Sequence, residues 1–195
     1  MGTRHLIAVY LDGAYRIAQY GQWDGYPSGQ GVDILDFLKT ADLDRFKEQL
    51  KLVHFETKAE QKKKEEFFKE IGAEGGWMNT EQANRYHRQY PLLTRDNGAK
   101  ILQMVYDLKE PAFLQNSIDF AMDSLFCEWA YVIDFDQGVL EVYEGFNKDP
   151  VPRGRFISET TDSQGYTCIK LKKVYPLDRL PTEKEFVYEL EPPDE

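Results

Sequence analysis

Asp12-Gly13 stands between two runs rich in β-formers, residues 4–11 and 14–20, and this arrangement commits the start of the chain to a tight antiparallel hairpin. Gly tolerates the positive φ that a type I′ turn demands, and Asp accepts it better than most residues. The first run, Arg-His-Leu-Ile-Ala-Val-Tyr-Leu, is apolar on both faces, so its strand belongs inside a sheet that is covered on each side. A second hairpin is predicted from 129–135 and 139–143, joined by Asp136-Gln137-Gly138. Further strands are expected over 166–174 and 185–190.

The stretch between the outer strands reads as helix. Val32 to Leu38 predicts a short helix with Ile34, Leu35 and Leu38 inward. Asp42 caps the next one, where Leu43, Phe46, Leu50 and Val53 recur at spacings of 3, 4 and 3. The pattern then continues either as one long helix or as two with a break between His54 and Glu60. A Gly75-Gly76 turn follows, and Asn79 with Gln82 forms a capping box for a helix that ends before Pro91. Helix is also predicted over 96–108, with Asp96 as its cap, and from Pro111 through Asp123. Strands, then helices, then strands is the order of an α+β domain, not of a doubly wound parallel fold. The expected architecture is a single domain over 1–190, its mainly antiparallel sheet built from both ends of the chain, with an acidic, frayed tail over 191–195.

Composition narrows the function classes. The 195 residues carry 24 Lys and Arg against 34 Asp and Glu, a net charge of −10, which is the wrong sign for gripping phosphate backbone or an anionic membrane. No apolar run approaches the about 20 residues that span a bilayer. The opening residues lack a secretory cleavage pattern, and Leu6 stands where a myristoylation motif wants Ser or Thr. A cytoplasmic setting with Cys127 and Cys168 as free thiols is therefore expected. His5, His54 and His87 lie far apart and neither cysteine has a close partner, so no metal site is expected, and no cofactor is implied.

Chemistry concentrates in residues 21–31, Gly-Gln-Trp-Asp-Gly-Tyr-Pro-Ser-Gly-Gln-Gly. Four glycines and a proline exclude a regular element and specify a shaped loop. Trp23 and Tyr26 offer flat stacking surfaces, and Asp24, Ser28, Gln22 and Gln30 offer hydrogen bonds. The glycine amides suggest an anion nest, although neither phosphate-loop spacing is present. The alternative is a structural loop with Trp23 buried and Asp24 capping backbone. Arg4 and His5 begin the first strand beside the mouth of this loop. His5 as proton acceptor, Asp24 as its orienting acid and Arg4 as anion binder form one candidate constellation; a surface salt bridge plus a hydrogen-bonded histidine is the other reading. Glu128 joins the ligand-binding candidates if its side chain points toward the loop. Cys127 reads as a small buried hydrophobe, and Asp136 as a turn stabiliser.

Several of these segments together carry a resemblance: the opening Gly-Thr-Arg-His-Leu-Ile, the Gln-Trp-Asp-Gly-Tyr-Pro-Ser-Gly-Gln-Gly run, Leu-Thr-Arg-Asp-Asn-Gly-Ala at 93–99, and Phe-Cys-Glu-Trp-Ala-Tyr-Val-Ile-Asp-Phe-Asp at 126–136. Over residues 2–146 the chain resembles an uncharacterised family of fungal and bacteriophage proteins, a likeness that implies kinship and no activity. More loosely, the hairpin and glycine-rich turn are similar to the opening of N-terminal-nucleophile amide hydrolases. That likeness implies Thr3 as nucleophile, but it requires cleavage before Thr3, because loss of Met1 alone exposes Gly2. Three function classes follow: a binding domain that uses the 21–31 loop for a small polar ligand or a partner peptide, an amide hydrolase of the N-terminal-nucleophile type, and a structural or regulatory protein acting through its acidic surface.

Overall fold

A computed structural model describes residues 2–73 and 77–192, so the Gly75-Gly76 turn and the last three residues of the acidic tail lie outside the described residues. Strands β1 (His5–Leu11) and β2 (Ala14–Gly21) form the expected hairpin. Asp12 and Gly13 both take positive φ, 53° and 73°, as a type I′ turn requires. Asp136, from the second hairpin, ties this turn down: its carboxylate accepts the Asp12 and Gly13 amides at 2.9 and 2.8 Å. The predicted turn stabiliser thus serves the neighbouring turn.

β5 (Trp129–Asp134) and β6 (Val139–Glu144) make the second hairpin, and β7 (Lys170–Pro176) completes a five-stranded sheet of order β2-β1-β5-β6-β7. The sheet is mixed. β1 runs parallel to β5 and the other pairs are antiparallel. With a partner on each side and a cover on each face, β1 has Leu6, Ile7, Ala8 and Val9 fully buried, which accounts for its two-sided apolarity.

Alternation along β1 sends Ile7, Val9 and Leu11 to one face. There they meet α1 (Val32–Thr40), α2 (Leu43–Leu50), α5 (Lys100–Tyr106) and α6 (Glu183–Leu190) through Ile34, Leu35, Phe46, Leu50, Leu102, Val105 and Phe186. Leu6 and Ala8 face the other way, onto a layer without long helices in which Ala121, Cys127, Phe156, Cys168 and Ile169 fill the space. A third cluster stands apart from the sheet. Ile71, Ala73, Tyr86 and Leu93 gather Phe67, Phe68 and Met78 between α3 (Lys58–Glu70) and α4 (Thr80–Gln89). Among the described residues no helix is long and apolar enough to cross a membrane.

Local signals explain most of these elements. Asp42 caps α2 by accepting the Asp44 and Arg45 amides, and the Asn79–Gln82 box caps α4. Of the two alternatives for the 43–71 segment the two-helix one holds, although Val53, expected on the helical face, leaves it for a short strand, β3 (Val53–Phe55), in the break. Three further expectations differ from the structure. The helix expected from Pro111 is instead strand β4 (Ala112–Leu114), parallel to β3, followed by a 3-10 turn over Ile118–Met122. Three residues are too few to show a period, and β4 is held by pairing across the chain. The strand expected over 166–174 begins later, at Lys170, since Cys168 and Ile169 turn into the core. Residues 185–190 form α6, not a strand. Thr182 and Glu185 make a capping box, and Phe186 and Leu190, four apart, both bury, outweighing the β-formers Phe186, Val187 and Tyr188.

Candidate functional site

The 21–31 loop is built on a shelf of buried rings. His5, paired with Gly21 across the hairpin, lays its imidazole against the loop, and a Cβ on Gly21 would fall 2.1 Å from His5 Nε2. Gly25 closes the other side, its Cβ position lying 2.7 Å from the His5 Cβ. The Tyr131 hydroxyl donates to the Gly25 carbonyl at 2.9 Å, and Gly31 rests on Tyr131 and Phe186. These close approaches are what the glycines provide. The loop then winds through a π-helical turn, Pro27–Gly31, straight into α1. Its amides are largely used: Gly25 donates to Thr3, Gly29 and Gly31 to Tyr26, Gln30 to Asp24, and Ser28 to the Glu191 carboxylate. An open anion nest needs free amides, and this loop keeps most of its own engaged.

The loop also grips the segment before α5. Gln22 donates its amide to the Arg95 carbonyl at 3.2 Å, and the Trp23 indole donates to Asp96 Oδ1 at 2.9 Å. Gln30 Oε1 accepts the Ala99 amide at 2.5 Å, beneath Gly98, whose φ of 50° and missing Cβ make room for it. From β2, Gln19 Nε2 donates to the Thr94 carbonyl at 3.0 Å. Asp96 therefore does not cap α5, which starts at Lys100 behind Ala99; it is the acceptor for Trp23.

Beyond this clamped segment lies a hollow of about 680 Å³. Phe68, Met78, Tyr86 and Leu93 line its apolar part, and Tyr20, His87, Thr94, Arg95, Asp96 and Gln115 its polar part; Trp77, 88% exposed, stands at its edge. A smaller hollow of about 360 Å³ adjoins it, sharing Tyr20, Leu93, Arg95 and Gln115 and adding Asn116, Ser117 and Phe120. The larger volume falls in the range that holds small ligands. Burial raises the Tyr20 hydroxyl above its ordinary pKa of 10, against the pull of the Arg4 and Arg95 guanidinium groups, so it stays a protonated donor; it donates to Gln22 Oε1 at 2.6 Å. His87 Nε2 meets Thr94 Oγ1 at 3.2 Å.

The candidate constellation of Arg4, His5 and Asp24 is split by strand alternation. Arg4 points to the face opposite His5, where its guanidinium stacks over Phe126 at 4.5 Å and approaches Glu128 Oε1 at 3.7 Å. Glu128 also accepts the Arg4 amide at 3.2 Å, so these two are brought together with each other and not with the loop. His5 is 1% exposed; its Nδ1 lies 3.5 Å from the Thr3 carbonyl, and its buried Nε2 has no hydrogen-bond partner among the described residues. Burial lowers its pKa from 6.5 to about 4, leaving a neutral ring. Thr3 is 5% exposed, and it is its carbonyl, not its hydroxyl, that receives the Gly25 amide. Asp24 adopts φ 57°, and its carboxylate lies against Gly29. Trp23 and Tyr26 are about half exposed, at 51% and 45%, while Ser28 and Gln30 are tied to Glu191 and Ala99.

Cys127 is fully buried, and burial raises its thiol pKa, as befits a packing residue. The residues of the hollow were illegible in the sequence, since Tyr20, Trp77, His87, Arg95 and Gln115 sit on separate elements. The 93–99 run was the one local signal, and reading Asp96 as a cap hid it. No known family model matches the chain, and comparison with curated proteins and with solved structures gave no match.

Proposed function

We propose that this chain is a ligand-binding domain whose binding site is the hollow beside the 21–31 loop, with the loop acting as the strut that holds one wall. The carrying observation is that Gln22, Trp23 and Gln30 all spend hydrogen bonds on 95–99, the segment that delivers Arg95 and Asp96 to the hollow. Supporting residues that fix the side chains lining a site are the usual way a site is kept in shape. On this reading the Trp-Asp-Gly-Tyr-Pro motif serves the site through the backbone it supports. Neither Thr3 nor a processed N-terminus has a part in it.

A thermal-shift screen of the full chain against a library of small polar metabolites tests the proposal. Compounds that bind the hollow raise the Tm of the parent chain and lose most of that shift with Arg95→Ala or Trp77→Ala, both exposed substitutions with little expected cost to stability. Hits that stabilise the parent and both variants equally, or a library without hits, would overturn it.

A further inference from the structure

Resting on that reading, we infer that the hollow is shaped for an α-amino acid with a large apolar or aromatic side chain. Two charged residues line it, Arg95 and Asp96, one of each sign. Neither makes a salt bridge among the described residues, to each other or elsewhere. Asp96 has one carboxylate oxygen held by the Trp23 indole, which fixes its direction and leaves acceptor capacity on the other. A wall that offers one cation and one anion matches a zwitterion. A simple monoanion would leave Asp96 unmatched beside the ligand, and a simple amine would leave Arg95 so.

The rest of the hollow fits the side chain of such a ligand. Its apolar part is the surface of the cluster around Tyr86 and Leu93, with Phe68 stacked on Tyr86 at 5.0 Å and 15°. An aromatic ring laid there gains area burial and ring–ring contact together. A nucleotide fits poorly. Arg95 is the one lysine or arginine that lines the hollow, and in the neighbouring loop the amides of Gly25, Gly29, Gly31 and Ser28 already have acceptors. The net charge of −10 likewise gives no long-range attraction to a polyanion, whereas a zwitterion is indifferent to it.

Isothermal titration of the full chain with L-phenylalanine, 3-phenylpropionate and 2-phenylethylamine decides the matter. The two analogues share the ring and each lacks one charge. L-Phenylalanine is expected to bind about tenfold or more tighter than either, the size of one lost charge-assisted hydrogen bond. Arg95→Gln should bring phenylalanine down to the level of the amine, and Asp96→Asn down to the level of the acid, with Tm confirming that both variants fold. Equal binding of all three compounds, or no saturable heat with phenylalanine, overturns the inference. The metabolite screen separates the two levels of the account. If other compounds lose their shift with Arg95→Ala while phenylalanine fails, the ligand class falls and the site stands; if nothing binds there, both fall.

Discussion

Arg155→Ala is expected to destabilise the fold by about 3–5 kcal/mol, the cost of leaving buried charge without its partner. Arg155 comes from the irregular stretch that covers the Leu6–Ala8 face of the sheet, and its side chain is 14% exposed. Its guanidinium bonds the Asp134 carboxylate on β5 and reaches Glu141 on β6, at 2.6 Å to Oε2 and 3.2 Å to Oε1. The Tyr10 and Tyr15 rings lie 5.1 and 5.9 Å away, and the Tyr143 hydroxyl donates to Glu141 at 2.8 Å. Asp134 is only 2% exposed, so water cannot replace the lost cation. Arg155→Lys should be intermediate, because an ammonium lacks the planar fork that serves two carboxylates at once. Urea unfolding measures this as a lower midpoint at unchanged slope. The double variant Arg155→Leu with Asp134→Asn should recover part of the loss, since it also removes the charge of the more deeply buried of the two carboxylates. A loss below about 1 kcal/mol for Arg155→Ala would place the cluster among ordinary surface ion pairs.

The second large effect is acid sensitivity centred on His5. The folded chain holds this ring neutral down to a pKa of about 4, whereas the unfolded chain takes up the proton near 6.5. Between those values the unfolded state binds more protons, so unfolding free energy rises with pH. Stability is therefore full above about pH 6.5 and falls as pH is lowered toward 4, by about 3 kcal/mol in all. Glu60, Glu185 and Glu189 have pKa values lowered from 4.5, chiefly by hydrogen bonds from Thr57, Thr182 and Tyr175, so their losses set in only as pH falls through about 4.5. Denaturant midpoints taken from pH 7 to pH 4.5 isolate His5. His5→Phe, which keeps a ring between Gly21 and Gly25, should flatten this part of the curve. An equally steep curve in that variant would assign the effect elsewhere.

Sequence patterns revealed the elements whose signals are local. The Asp12-Gly13 turn, the Asp42 and Asn79 caps and the two-sided apolarity of β1 each rest on neighbours within a few residues. What escaped depends on distant partners. β3 and β4 find each other across more than fifty residues and are too short to carry a period. α6 carries a local signal in Thr182 and Glu185, but its β-forming residues favour a strand, and the helix is decided by the buried face that Phe186 and Leu190 share. At the site the loop was conspicuous, and its glycines do mark close approaches to His5, Asp24 and Tyr131. Its purpose was not legible, because the Trp23–Asp96 and Gln30–Ala99 bonds cross about seventy residues. Adjacency misled once: Arg4 and His5 are neighbours in the chain and therefore point to opposite faces of a strand.

On the proposed function the 21–31 loop supports the hollow, and ligand enters the hollow itself. Amide chemical-shift mapping of the isotope-labelled full chain, titrated with the compounds that stabilise it, addresses this most directly. Shifts are expected to concentrate at Thr94, Arg95, Asp96 and Asn97, at Ala83 and His87, and at Gln115, with Trp23 responding through its indole N–H to Asp96. Shifts confined to Tyr26 through Gln30, or to the adjoining apolar groove of Tyr90, Leu108 and Phe113, would contradict it.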